Sequence, residues 1–190
     1  MSIDTDVPAE GSNKRLNSMV AVTVVLLSVF LGLCNIKDGN IVQAMSQAKA
    51  DSLDTWGEYQ ATRTKLHIDE SAAAQLAVLG PLSKDTAAVA AANAALAASI
   101  AKYKSESPAL KAKAQAFADQ YDALNVHDDQ FDAADALMSI AVSAAAVAAL
   151  VETFAVLAVS WVFGAFGIVM GLAGFLGWAI HPDFLAKLLG

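Results

Sequence analysis

The feature that most constrains this chain is a pair of long apolar segments. Residues 17–36 contain no charged side chain, and residues 137–180 contain one, Glu152. About 20 helical residues, at a rise of 1.5 Å each, span the roughly 30 Å of bilayer hydrocarbon. The first segment therefore predicts one membrane span and the longer second segment predicts two. The alternatives are a cleaved signal peptide for the first and a buried soluble hairpin for the second.

The apolar segments set the predicted boundaries. We expect a disordered N-terminal tail at residues 1–16 and a C-terminal tail at residues 181–190. Three transmembrane helices are expected at residues 17–36, 137–158 and 161–180, with an aqueous middle segment at residues 37–136. A tight turn near Val159 and Ser160 is expected to separate the last two spans.

The middle segment is rich in Ala, Lys, Gln and Leu and lacks strand-like alternation, which favours helices. Gly80-Pro81 stops the first helix, and Ser83 is suited to cap the next, so the tip of a hairpin is predicted at residues 80–83. The predicted fold class is an all-α integral membrane protein, with a long antiparallel helical (coiled-coil) hairpin between the first and second of three transmembrane helices.

A heptad pattern marks the second arm of this hairpin. Apolar or aromatic residues recur at every seventh position, at Val89, Leu96, Tyr103, Leu110, Phe117 and Leu124. This spacing is typical of a coiled-coil seam and is expected to mediate oligomerisation. The phase continues across Pro108, which predicts a kink rather than a new helix. The first arm is less regular, with Met45, Tyr59, Leu66 and Ala73 in phase and Trp56 out of phase.

Glycines recur along the last predicted span, at Gly164, Gly167, Gly171, Gly174 and Gly177. Small residues let helices approach closely in a bilayer. The first four are candidates for self-association, and packing against the second span of the same subunit is the alternative.

Glu152 is the candidate intramembrane charge, because an ionised side chain in hydrocarbon is costly unless it is paired or hydrated. The alternative is that it reaches water near the cytoplasmic end of its helix. The acidic run from His127 to Asp135 lacks the central Gly and closing Glu of a calcium loop, so we expect a solvated helical surface there. His67, His127 and His181 are scattered, and no catalytic, cofactor or metal site is expected.

Composition excludes one partner class. The chain has 12 basic and 19 acidic residues and a net charge of -7, without a dense basic run, so no nucleic-acid binding is expected. The lone cysteine, Cys34, excludes an internal disulfide.

Lys14 and Arg15 before the first span predict a cytoplasmic N-terminus and hence a periplasmic hairpin.

Three stretches resemble the uncharacterised bacterial membrane family known as domain of unknown function 4337: NIKDGNIVQAM at residues 35–45, DSLDTW at residues 51–56 and YQA at residues 59–61. The resemblance implies an N-terminal span, a helical middle and a C-terminal hydrophobic pair in a bacterial inner membrane. It implies no activity and no site residues.

Two functions are compatible with these features. The first is an oligomeric membrane-anchored scaffold whose hairpin forms a stalk or holds a partner complex; its expected partners are the lipid bilayer, further copies of the chain and an unidentified protein. The second is a subunit of a small ion channel or transporter that uses Glu152, with the acidic cluster from Asp119 to Asp135 concentrating cations at the pore mouth. No enzyme is expected.

Overall fold

The computed structural model describes residues 14–178 and residue 180. These residues form three α-helices and no strand: α1 at Lys14–Leu79, α2 at Thr86–Leu150 and α3 at Phe154–Leu176, with a 3₁₀ turn at Gly80–Leu82. The all-α fold is confirmed, and three helices are long and apolar enough to cross a membrane.

The predicted tails fall largely outside the described residues. Residues 1–13 of the N-terminal tail and all of residues 181–190 lie outside them. The remainder of the predicted N-terminal tail, from Lys14 to Leu16, already belongs to α1. No Gly or Pro separates these residues from the apolar segment, so helix extends to them.

α1 joins two predicted elements into one helix. The first apolar segment and the first arm of the middle segment are continuous over 66 residues. Gly32, Gly39 and Gly57 lie within it, and a side chain added at any of them would meet nothing within 4 Å. An isolated glycine costs a helix only about 1 kcal/mol, which leaves α1 unbroken.

α2 also runs without interruption, over 65 residues that include Pro108. Proline has no N–H to donate to the preceding turn. Next to it, the Ser107 hydroxyl donates to the Tyr103 carbonyl oxygen at 2.7 Å. The prediction that Pro108 begins no new helix is confirmed.

The turn between α1 and α2 is closed by Gly80 and Asp85. A Cβ on Gly80 would lie 2.9 Å from Val89 Cγ1, so only glycine fits this close approach. The Asp85 carboxylate caps α2 by accepting a hydrogen bond from the Ala88 N–H at 2.9 Å. Asp85 therefore takes the capping position predicted for Ser83, whose hydroxyl accepts instead from the Asp85 N–H at 3.2 Å.

The turn between α2 and α3 lies earlier than predicted. α2 ends at Leu150 and α3 begins at Phe154, so the turn occupies residues 151–153 rather than Val159 and Ser160. Glu152 adopts a left-handed backbone with φ of 51°. The Thr153 N–H donates to the Ala148 carbonyl at 3.2 Å, which is a Schellman-type helix end.

The chain divides into two compact units. The three-helix unit contains the described residues up to Gln43 together with those from Leu124 onward, and the two-helix unit spans Ala44–Ala123. α1 and α2 contribute residues to both units, whereas α3 belongs to the three-helix unit alone.

The core of the three-helix unit is built on heptad spacing. One buried cluster comprises Leu16, Val20, Ala145, Ala148 and Leu157. Further along, Phe131 is 1% exposed and meets Phe175 edge-on, with ring centroids 5.2 Å apart. On α1 the buried positions recur every seven residues, at Val20, Leu27, Cys34 and Ile41. A seven-residue repeat keeps one face of a helix toward its neighbours.

Candidate functional site

The heptad residues predicted on α2 are all partly buried: Val89, Leu96, Tyr103, Leu110, Phe117 and Leu124. In the two-helix unit, the neighbouring positions Ser107 and Ala114 are buried more deeply, and the Ala114 carbonyl accepts a hydrogen bond from Ser52 of α1 at 3.2 Å. This face of α2 packs against α1 of the same chain within the two-helix unit.

The matching face of α1 carries a polar seam that the sequence analysis missed. Ala48, Thr55 and Thr62 lie seven residues apart and are buried. The Thr55 hydroxyl donates to the Asp51 carbonyl at 2.7 Å, which satisfies it without an inter-helix partner. A search for apolar repeats passes over such a seam. The seam could have been predicted from small residues, polar or apolar, that recur at every seventh position.

The glycine stripe of α3 is buried within the chain. A Cβ added to Gly167 would lie 2.6 Å from Met138 Cγ, and one added to Gly171 would lie 2.8 Å from Cys34 Sγ. At Gly174 the nearest atoms belong to the Phe131 ring, at 2.7 Å. A Cβ added to Gly164 would likewise lie within 3.2 Å of both methyl carbons of Leu27. The glycines thus let α3 contact α1 and α2, which is the alternative to self-association.

A buried glutamine fixes the end of α3. Gln130 is fully buried, and its side-chain amide donates to the carbonyl oxygens of Trp178, at 2.8 Å, and Ile180. Its own oxygen lies 3.1 Å from His127 Nδ1. A buried amide needs such partners, because leaving it unpaired costs about 1–3 kcal/mol. Sequence reasoning missed Gln130, which lies within a run of acidic residues.

Glu152 lies in the turn between α2 and α3, and its side chain is exposed. The prediction placed it inside a membrane helix. Thr153, in the same turn, donates to the Val151 carbonyl at 2.9 Å, and Ser160 of α3 donates to the Ala141 carbonyl of α2 at 2.6 Å. Glu152 is the one charged residue of the apolar segment 137–180, and its position marks the turn.

A group of aspartates lies in the three-helix unit, outside the predicted spans. Burial raises the pKa of Asp128 to about 6, with the nearby carboxylate of Asp38 as the next cause. Burial also raises the pKa of Asp38 and of Asp132, and in both cases the carboxylate of Asp135 adds to the rise. Within residues 14–178, no three His, Cys, Asp or Glu side chains are arranged to hold a metal ion.

The distal half of the two-helix unit, defined here as residues 71–101, has no side-chain core. From His67 to Glu106, Gly80 is the only residue that is buried. Lys84 and Asp85 are the only charged residues of the distal half, and alanine is its commonest residue. Charges resume just beyond it, where Lys104 Nζ lies 2.9 Å from Glu70 Oε1 and this contact lowers the pKa of Glu70.

The fold defines a class of all-α proteins with three helices able to cross a membrane. Within this class, residues 16–177 match the family described as a domain of unknown function (DUF4337), so the chain belongs to that family. The resemblance stated from the sequence is confirmed. The sequence matches no curated protein and no solved structure.

Proposed function

We propose that this protein is a membrane-anchored scaffold that assembles through its two-helix unit. In this proposal the spans are residues 17–36 of α1, the apolar C-terminal part of α2, which ends at Leu150, and α3. The residues between the first and second spans form an antiparallel coiled-coil hairpin in water. We place the chain in a bacterial inner membrane, and Lys14 and Arg15 before the first span favour a cytoplasmic N-terminus and a periplasmic hairpin.

The observation that carries the proposal is the coreless distal half of the two-helix unit. Folding a residue costs about 1–2 kcal/mol of backbone entropy, which helices in proteins recover mainly by burying an apolar face. Here Val89, Leu96 and Ile100 are only partly buried, while Val78 and Leu82 are 73% and 80% exposed. An uncharged helical surface of this length is stabilised by covering it with another protein surface.

A second copy of the chain is the occupant that fits this surface. Alanine-covered helices allow close approach, and each copy brings the same uncovered face. The two charges in the distal half have opposite sign and adjacent positions, at Lys84 and Asp85. In a two-fold contact whose axis passes beside this pair, Lys84 of one copy faces Asp85 of the other, and symmetry forms the same contact a second time.

Ion conduction through Glu152 stays an alternative prediction with less support. A conducting carboxylate lies on a span and faces the bundle or a water-filled cavity. Glu152 lies instead in an exposed turn. Ion flux in liposomes that is abolished by Glu152→Gln would favour this alternative over the scaffold.

Mass measurement in mild detergent tests the proposal. We expect a particle mass of at least twice 19.7 kDa after subtraction of the detergent. The double variant Ala91→Glu/Ala98→Glu places two charges on the exposed outer face of the distal half and should give a monomer. The matched variant Ala112→Glu/Ala116→Glu, at exposed positions outside the distal half, should keep the wild-type mass. A monomeric wild-type protein at micromolar concentration would refute the proposal.

A further inference from the structure

A groove between α1 and α3 of the three-helix unit begins at a cationic end. Its first part encloses about 490 Å³ and is lined by Arg15 and Met19 of α1 and by Phe154 and Trp161 of α3. The two aromatic rings meet edge-on, with centroids 5.6 Å apart. Arg15 is exposed, and Lys14 precedes it, so this end offers positive charge beside an aromatic surface.

The second part of the groove is apolar and shares Trp161 with the first. It encloses about 260 Å³ and is lined by Leu26 and Ile168 above a floor that includes Gly164 and Ala165. The Trp161 indole N–H donates to the Thr23 hydroxyl at 2.9 Å, which satisfies its polar atom where the two parts meet. Gly164 has no side chain, and Leu27 of α1 packs against it, with both Leu27 methyl carbons within 3.2 Å of where a Cβ would lie.

We propose that this groove binds one anionic phospholipid, with the phosphate at Arg15 and one acyl chain along the Gly164 floor. Arginine binds phosphate through its planar set of N–H donors. Tryptophan with a polar and an apolar side suits the boundary between headgroup and chain. The apolar part gives a free phosphate ion nothing to contact, whereas it matches the chain of a lipid.

The proposal rests on the membrane spans proposed above, because α1 and α3 meet lipid only if both cross the bilayer. It is independent of self-association, since the groove lies wholly within the three-helix unit. It also goes beyond membrane insertion, which requires no preference for one headgroup.

Fluorescence quenching by brominated lipids tests the inference. The full chain carrying Trp56→Phe and Trp178→Phe keeps Trp161 as its one tryptophan. It is reconstituted into phosphatidylcholine vesicles with a minor fraction of phosphatidylglycerol. Bromine is placed on the chains of either the phosphatidylglycerol or an equal amount of the phosphatidylcholine. We expect the anionic lipid to quench Trp161 about fivefold more efficiently, the effect of one basic residue near an anionic headgroup.

Variants separate the phosphate contact from the chain contact. Arg15→Gln should make the two brominated lipids quench Trp161 equally. Lys37→Gln, at the opposite end of the proposed span, should leave the stronger quenching by the anionic lipid unchanged. Ala165→Phe fills the apolar part and should reduce quenching by both lipids, and Ala146→Phe, at an exposed position of α2, should not.

The outcomes distinguish this inference from the proposed spans. Equal quenching by both lipids in the parent, or a preference that survives Arg15→Gln, would overturn the lipid site and leave the spans standing. An absence of quenching by either lipid would overturn the spans themselves.

Discussion

The two units of this protein differ in the side chains that lie where their helices meet. The three-helix unit places large side chains against glycines, as Met138 lies against Gly167 and Phe131 against Gly174. The two-helix unit packs small residues, such as Ala48, Thr62 and Ala114, and leaves its distal half without a core. A helix with two neighbours buries more of its surface than a helix with one. The comparison shows that the three-helix unit supplies its own core, whereas the two-helix unit has surface left to cover.

The largest expected effect comes from filling the glycine contact of α3. Gly167→Val adds atoms 2.6 Å from Met138 Cγ and 3.2 Å from the Met138 backbone nitrogen, and the backbone cannot move aside. We expect the free energy of unfolding to fall by about 3 kcal/mol, the upper range for overpacking. Gly32→Val, at a position with nothing within 4 Å, is the control. Circular dichroism during denaturation in detergent measures both, and equal effects would refute tight packing in this unit.

A corresponding change in the two-helix unit should cost less. Ala114 is fully buried, and Ala114→Leu forces a larger side chain between α1 and α2. We expect a loss of about 2 kcal/mol, because two helices can separate slightly to relieve the strain. Ala112→Leu, on the exposed side, should change little. If Ala114→Leu costs as much as Gly167→Val in the same denaturation assay, the two units are packed alike and the comparison fails.

The aspartate group predicts that the stability of the three-helix unit depends on pH. The pKa of Asp128 is about 6 in the folded chain, against an ordinary 3.8, so the folded state holds the proton more tightly than the unfolded state. The protonated Asp128 carboxyl therefore stabilises the folded state fully below about pH 4, and this stabilisation is lost as the pH rises through about 6. Asp128→Asn should raise Tm at pH 7 and leave it nearly unchanged at pH 4.

The exposed Asp122, in the two-helix unit, offers the control for this experiment. Asp122→Asn should shift Tm equally little at both pH values. A rise in Tm for Asp128→Asn that is as large at pH 4 as at pH 7 would contradict the assignment of the effect to this carboxyl group.

The smallest expected effect concerns the turn after α2. A non-glycine residue at positive φ costs about 1–2 kcal/mol. Glycine removes this strain but loses more backbone entropy on folding, which offsets part of the gain. Glu152→Gly should therefore raise the free energy of unfolding by about 1 kcal/mol. Glu152→Ala removes the same carboxylate and keeps the strained backbone, so it should give no gain. Equal gains for the two variants in chemical denaturation would assign the effect to the charge instead.

The sequence predicted the helical class and the Gly80 turn, because each depends on local propensity. It placed the second turn eight residues late, since dividing an apolar run equally ignored Glu152 as a mark of the helix end. The polar seam at Thr55 and the amide of Gln130 were not predicted. Their burial depends on contacts between distant segments, and polar residues carry no hydrophobic signal for it.

Gln130 also orders events during synthesis. Its amide is buried, and its partners are the carbonyls of Trp178 and Ile180, about 50 residues later in the chain. While a ribosome is still adding those residues, the amide keeps water or another partner, because an unpaired amide in an apolar interior is costly. Gln130 in the middle of α2 therefore gains both of its carbonyl partners only after residue 180 has been made and brought back to it.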